Sequence, residues 1–409
     1  MNWLLPQKDP TLDIQERVVE IEGETAFAYL AVARKLIQEG RRVISFGIGQ
    51  PDFPTPHHIR EAAKKALDEG FTGYTETAGI PELREAIAWY LNSRYGADVS
   101  PEEVIATTGA KTAIFLGMAL YLRPGDEVII PDPSYYAYAQ VAKLFGARPV
   151  YVPMKFEPGL GFRFDIEGIE RAVSEKTRMI VVNNPHNPTG SVFPPDQVEA
   201  IHDIARRRGL IILADEIYDN FLYTEKPFKS TLSLPDWREN LVYVNGFSKT
   251  FSMTGWRLGY VVLRREVIPK ALDLAVTIYS CPPSIAQKAG VAALRGDWGP
   301  VREMVEEFRS RARILYDILS QAEGIEPYLP EGAFYMFPRV AGLLRKTGLS
   351  VEQLAEKLLY SYGVLVLPGT SFPESVGREH VRLSFATATS DVKEGAEIIV
   401  RASRELSSG

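Results

Sequence analysis

A chain of 409 residues exceeds what one hydrophobic core usually organises, so two domains, or a large domain with a smaller satellite, are expected. With 45% hydrophobic and 24% charged residues it has the balance of a soluble globular protein, and a net charge of −6 without a long Lys/Arg run argues against a nucleic-acid or anionic-membrane surface. The single cysteine, Cys281, excludes an intrachain disulfide, and five histidines without HExxH spacing give no reason to expect a metal.

The first stretch, MNWLLPQKDPTLDIQERVVEIEGE, carries acidic residues early and no apolar segment of signal-peptide length. No uncharged run reaches the roughly 18–20 residues that cross a bilayer. A soluble, cytoplasmic protein without a membrane partner is expected. Between about 100 and 265, short β-branched runs alternate with helical patterns: VIAT (104–107), EVIIP (127–131), RPVYVP (148–153), RMIVVNNP (178–185), LIILADE (210–216), LVYVNGF (241–247) and GYVVL (259–263). Most are apolar throughout, as strands covered on both faces are, which predicts an α/β layer with a mainly parallel seven-stranded sheet. After residue 300, VREMVEEFRSRARILYDILSQAEG reads as a long helix. GAFYMFPRV, GVLVLPG and HVRLSFA then read as strands around the helix SVEQLAEKLLYSYG, a smaller α+β domain. The expected division is 1–46 as an N-terminal segment of the small domain, 47–299 as the large domain and 300–409 as the small one.

Ligands of open α/β sheets sit beyond the carboxyl ends of the strands, so those ends are where chemistry is sought. VIAT runs into TGAKTAIFLGMALYLRPGD, where Gly109 and Ala110 before a helix that starts near Lys111 make either an anion site or an ordinary tight turn. NNPHNPTG supplies Asn183, Asn184 and Asn187 in a proline-stiffened loop, which equally describes a turn. LIILADEIYDN ends a strongly apolar strand on Asp215 and Glu216, either a helix cap or a carboxylate whose desolvation requires a compensating cation. A magnesium site of the Walker type is disfavoured because the chain has no GxxxxGK[ST] loop. NGFSKTFSMTGWRLGY places Lys249 and Arg257 among small and aromatic residues with no acidic neighbour in sequence.

Taken in order, these motifs resemble the class I aminotransferases, pyridoxal-phosphate enzymes of fold type I, from about FGIGQPDF (46–53) to VRLSFA (381–386). The resemblance implies that Lys249 forms the Schiff base with pyridoxal 5'-phosphate and shuttles the substrate proton. It implies that Arg257, Gly109, Ala110, Lys111 and Ser248 hold the phosphate and that Asp215 pairs with the pyridinium nitrogen. Asn187 and Tyr218 would bond the ring oxygen, and Tyr135, chosen over its neighbours Tyr136 and Tyr138, would stack on the ring. Arg382 would clamp the substrate α-carboxylate with Gly49 and Asn187 beside it, and Tyr74 would reach the phosphate of a neighbouring subunit, which makes a homodimer. Two positions depart from the family pattern: Gly246 stands where many relatives carry a phosphate-binding serine, and Gln50 where they carry an acid.

YSCPPSIAQ after the lysine, and FLGMALYL in the cradle helix, lack the cation that dicarboxylate-specific relatives use. This favours an aromatic or other hydrophobic amino donor with 2-oxoglutarate as acceptor. Aspartate transamination, or a β-lyase or decarboxylase on the same fold, is the alternative. A regulatory protein would need a DNA-binding module, for which the roughly 45 residues before FGIGQPDF are too few and too acidic.

Overall fold

The computed structural model of the protein describes residue 18 and residues 20–408; the beginning of the expected N-terminal segment lies outside the described residues. Seven strands form one sheet: β1 Val104–Thr107, β2 Glu127–Asp132, β3 Arg148–Pro153, β4 Thr177–Asn183, β5 Ile211–Asp215, β6 Leu241–Gly246 and β7 Gly259–Val262, in the order β1-β7-β6-β5-β4-β2-β3. All pairings are parallel except those of β7, which is antiparallel to β1 and β6. These are the seven segments expected from the sequence, and the reason is visible in the packing. Successive residues feed two separate cores, Ile180 and Val182 on one face of β4 and Met179 and Val181 on the other, so both faces must be apolar. The departure from that pattern is RPVYVP, whose exposed residues and two prolines fit its place at the sheet edge, where no partner needs every N–H.

Six helices serve as landmarks: α1 Thr25–Gln38, α2 Ala110–Tyr121, α3 Pro195–Arg208, α4 Gly299–Leu319, α5 Val351–Tyr362 and α6 Thr389–Ser408. The smaller unit combines α4, α5 and α6 with an antiparallel sheet of β8 Tyr335–Met336, β10 Val381–Ser384 and β9 Leu367–Pro368, with β10 in the middle. Helix α5 starts on a capping box, Ser350 with Gln353, and stops at Gly363 with φ 71°. The chain before the large sheet is stitched into this unit: Ile44–Ser45 pairs in parallel with Val364–Leu365, and Phe46 and Ile44 join its apolar core. The loop after it is anchored there as well, because Arg311 of α4, buried, reaches Asp52 at 2.7 Å and Glu307 at 3.2 Å. Residues 46–52 therefore enter the space between the two units from the small-unit side. Among the described residues no helix is long and apolar enough to cross a membrane.

Candidate active site

The carboxyl ends of β1, β4, β5 and β6 open on a cavity of about 430 Å³ that the segments around Glu24, Gly49, Tyr335 and Arg382 close from the other side. Of the residues expected to form a site, Gly49, Ala110, Lys111, Tyr135, Asn187, Asp215, Tyr218, Ser248, Lys249, Arg257 and Arg382 line it. Gly109 adjoins it, and Tyr74 does not line it: that side chain is 92% exposed.

Asp215 ends β5 directly under the cavity. Its Oδ2 accepts a hydrogen bond from the Tyr138 hydroxyl at 2.8 Å and its Oδ1 one from the Ile217 N–H at 3.1 Å. Burial pushes this carboxyl up to about 6, because these two donors and the charge of Lys249 repay only part of its desolvation. The neighbouring Glu216 points away and is fully engaged by the Ser230 hydroxyl at 2.6 Å and by the Thr231 N–H at 2.7 Å and hydroxyl at 2.8 Å. Of the two adjacent acids, one is spent on structure and the other faces the cavity.

Asn183 and Asn187 form a relay beside it. The Asn183 amide donates to the Asp215 carbonyl at 2.8 Å and its oxygen accepts the Asn187 N–H at 2.8 Å, which leaves the Asn187 side chain directed to Arg382 Nη1 at 3.3 Å. Arg382 is buried, donates through Nη2 to the Gly47 carbonyl, and leaves Nε without a partner. A buried guanidinium with an unused donor suits an incoming carboxylate. The Tyr218 and Tyr335 hydroxyls are 2.8 Å apart, and burial raises the Tyr218 hydroxyl well above its usual range, so it stays a donor.

Lys249 Nζ donates to the Gly49 carbonyl at 2.7 Å, and burial lowers its ammonium to about 8. Such an amine loses its proton at modest cost and becomes a nucleophile. Arg257, held at φ 53° with Nη1 on the Thr254 carbonyl at 2.8 Å, lies against Gly109. That glycine has φ 89°, and a Cβ there would come within 2.4 Å of Arg257 Nη2, so the start of α2 and the guanidinium share one anion-sized place. Gly246 has a steric explanation: it faces Gly259 across β6 and β7, where a Cβ would lie 3.0 Å from the Gly259 Cα and 3.2 Å from the Leu258 carbonyl oxygen. A side chain here would be tight against the neighbouring strand, which would have to give by a few tenths of an ångström, whereas Ser248 lines the cavity.

Several lining residues were not anticipated as site residues. Tyr138, which bonds Asp215, is separated from its alternatives only by the register of the turn after β2. Tyr335 was legible only as part of a strand. Glu24 and Phe27 come from the start of α1, where nothing in local sequence signals a cavity.

A doubly covered sheet with a depressed lysine, a desolvated aspartate and two arginines around one cavity defines an enzyme for small anionic carbonyl and amino compounds. The family model of the aminotransferases of class I and II matches residues 41–399. The aspartate aminotransferase of Sulfurisphaera tokodaii is 51% identical over 387 residues, 94% of this chain and 96% of that one. Among solved structures, the aspartate aminotransferase of Thermus thermophilus with maleate is similar with a TM-score of 0.89 at 35% identity, covering 96% of this chain and 100% of its own. The aromatic aminotransferase of Pyrococcus horikoshii is similar with a TM-score of 0.85 at 38% identity, covering 92% and 100%. The chain belongs to the class I and II aminotransferase family. It is a transaminase of amino acids and 2-oxo acids, and its cofactor is pyridoxal 5'-phosphate. The cavity fits that cofactor: the place between Gly109 and Arg257 suits a phosphate, and Asp215 is a buried carboxylate in need of a cation.

Proposed function

We propose that this transaminase prefers dicarboxylic substrates, with aspartate as amino donor and 2-oxoglutarate as acceptor, and that the observation carrying this is Lys111. Four cations line the cavity: Lys249, Arg257, Arg382 and Lys111. The first three have work at the cofactor and the α-carboxylate. Lys111 does not turn its ammonium to Arg257; it donates to the Tyr136 hydroxyl at 2.9 Å and stands 3.5 Å from Glu24, half-exposed at the cavity wall. Its backbone would belong to the phosphate cradle, while its half-exposed ammonium lies at the cavity wall, where a distal carboxylate could meet it. YSCPPSIAQ and FLGMALYL hold no such cation, but Lys111 lies one helical turn before the second of them. The names of the relatives from Sulfurisphaera tokodaii and Thermus thermophilus support the same reading.

Pyridoxal phosphate supplies, when bound, an aldehyde that carries the amino group and a ring that stores the electron pair left at Cα. Lys249 would hold the cofactor through Nζ, and its lowered pKa suits that amine to take and return the substrate's Cα proton. Asp215 would hold the proton on the ring nitrogen, and a cationic ring would offset the cost of burying the carboxylate. Tyr218, Asn187 and Tyr135 would hold the ring, and Arg257, Ser248 and the backbone of Gly109, Ala110 and Lys111 would hold the phosphate. Arg382 orients the α-carboxylate with Gly49 beside it. The proposal includes a homodimer in which Tyr74 serves the neighbouring site, a cytoplasmic location, and 47–299 and 300–409 as the two domains, with the segment before 47 joined to the second.

A panel of aspartate, phenylalanine and leucine with 2-oxoglutarate tests the donor. Aspartate should lead in kcat/KM, and Lys111→Met should lower it about tenfold or more while phenylalanine stays within about twofold, since a charge-assisted bond contributes roughly 1.5–3 kcal/mol. An aromatic or other hydrophobic donor is the second reading, favoured by Phe27, 62% exposed, Ile48 and Tyr135 on the cavity wall; a tenfold lead for phenylalanine would establish it instead. Ammonia or carbon dioxide release without an oxo acid would point to a β-lyase or decarboxylase.

A further inference from the structure

Among the residues that line the cavity, the carboxylates are Asp215 and Glu24. Asp215 is fixed at the end of β5 by two donors, whereas Glu24 comes from the opposite wall. Glu24 stands at the N-cap position of α1, and its side chain makes no cap hydrogen bond. It lies instead 3.5 Å from Lys111 Nζ, with 23% of its side chain exposed. A cavity lined by four cations thus holds a carboxylate of its own beside Lys111, whose ammonium also donates to the Tyr136 hydroxyl.

We propose that Glu24 determines specificity by occupying Lys111 in the ligand-free enzyme as an internal stand-in for a substrate's distal carboxylate. This rests on the assignment of Lys111 to that carboxylate. An acidic substrate brings a second carboxylate to one ammonium, and like charges cannot share it without cost, so Glu24 is displaced. A substrate with an uncharged side chain leaves the Glu24–Lys111 pair in place, and Lys111 is then not left as an unpaired cation against an apolar group. Phe27, in the same first turn of α1, lies on the cavity wall and offers apolar surface to such a side chain. Displacement of Glu24 shifts the start of that turn, so charge recognition and apolar packing are coupled through a single short segment. One site can accept both classes of substrate because its distal cation carries its own counter-ion.

The test is a titration of the holoenzyme, read by cofactor absorbance, with maleate as the dicarboxylate probe and 3-phenylpropionate as the monocarboxylate. Glu24→Gln should tighten maleate by about three- to fivefold, the size expected for a partly exposed ion pair, and leave 3-phenylpropionate unchanged or weaker. Glu24→Asp, which keeps the charge, should bring maleate back toward the wild-type affinity, and in a Lys111→Met background Glu24→Gln should have no selective effect. Equal shifts for both probes, or weaker maleate binding by Glu24→Gln, overturn the role of Glu24. If Lys111→Met leaves maleate affinity unchanged, the assignment of Lys111 falls and the role of Glu24 falls with it; if Lys111→Met weakens maleate but Glu24→Gln does nothing selective, only the latter is lost.

Discussion

The two walls of the cavity are built differently. One wall is made of strand ends: Asp215 terminates β5, Asn183 terminates β4, and Lys249 comes three residues after β6. Their backbones are held by a buried ladder, and the atoms they present are fixed by further bonds such as Tyr138 to Asp215. The other wall is assembled from the start of α1, the 46–52 loop and the small-unit strands that carry Tyr335 and Arg382, joined by side-chain contacts such as Arg311 with Asp52. Chemistry that demands fixed geometry belongs on the first wall, and recognition that must vary with substrate belongs on the second. Changes at Asp215 and Lys249 in the sheet wall should therefore act on kcat, and changes in the opposite wall, together with Lys111 at the start of α2, on KM and on the ranking of substrates.

The largest effect separates the walls most clearly. Lys249→Ala should lower kcat by roughly 10⁴-fold or more, since it removes both the covalent anchor and the proton carrier; near-normal turnover in a steady-state assay would remove the sheet wall from the chemistry. Asp215→Asn comes next. Loss of the partner of a buried cation costs about 3 kcal/mol, roughly a hundredfold in rate. The same variant should have the opposite effect on the cofactor-free protein. The folded carboxyl titrates at about 6 instead of 3.8, so the folded state holds more protons than the unfolded state between those values, and stability falls as pH rises through that window. Asp215→Asn should match the wild type near pH 4 and exceed it above pH 6 by on the order of 2–3 kcal/mol, seen as a higher Tm of the cofactor-free form. A constant Tm difference across that range would contradict the buried, under-compensated state of Asp215.

The contrast between the walls also explains how much could be read from the sequence. Six of the sheet strands were legible because a strand buried on both faces is apolar through its middle, as β6 is from Leu241 to Val244, and the edge strand β3 from its β-branched Val150 and Val152. The residues at their ends were legible because polar groups there interrupt an apolar run. Glu24 and Phe27 were not, since what makes them part of the cavity is the packing of α1 across it, a long-range contact without local periodicity. Lys111 was read as a cradle residue because its backbone position dominates its local signal; the direction of its side chain is set by Tyr136 and Glu24, 25 and 87 positions away in the chain. The substrate preference depends on these long-range contacts, and so the mechanism was easier to read than the specificity.

On the second wall, Arg382→Lys should raise KM for every donor by about 10- to 100-fold with a smaller change in kcat, because an ammonium cannot reproduce the paired guanidinium contact. An effect confined to kcat would place Arg382 with the sheet wall. The smallest expected effect concerns Tyr74, which contributes to neither wall of its own subunit and is 92% exposed. If it reaches the neighbouring cofactor phosphate, Tyr74→Phe removes one hydrogen bond and should weaken cofactor retention by about two- to tenfold in equilibrium dialysis, with little change in kcat at saturating cofactor. Hybrid dimers decide from which subunit it acts. Pairing a Tyr74→Phe subunit with a Lys249→Ala subunit leaves one intact lysine, and that site receives its tyrosine from the partner. Such a hybrid should retain cofactor at its working site as the wild type does. If retention there stays at the level of the Tyr74→Phe homodimer, the tyrosine serves its own subunit, and the cavity is complete within one chain.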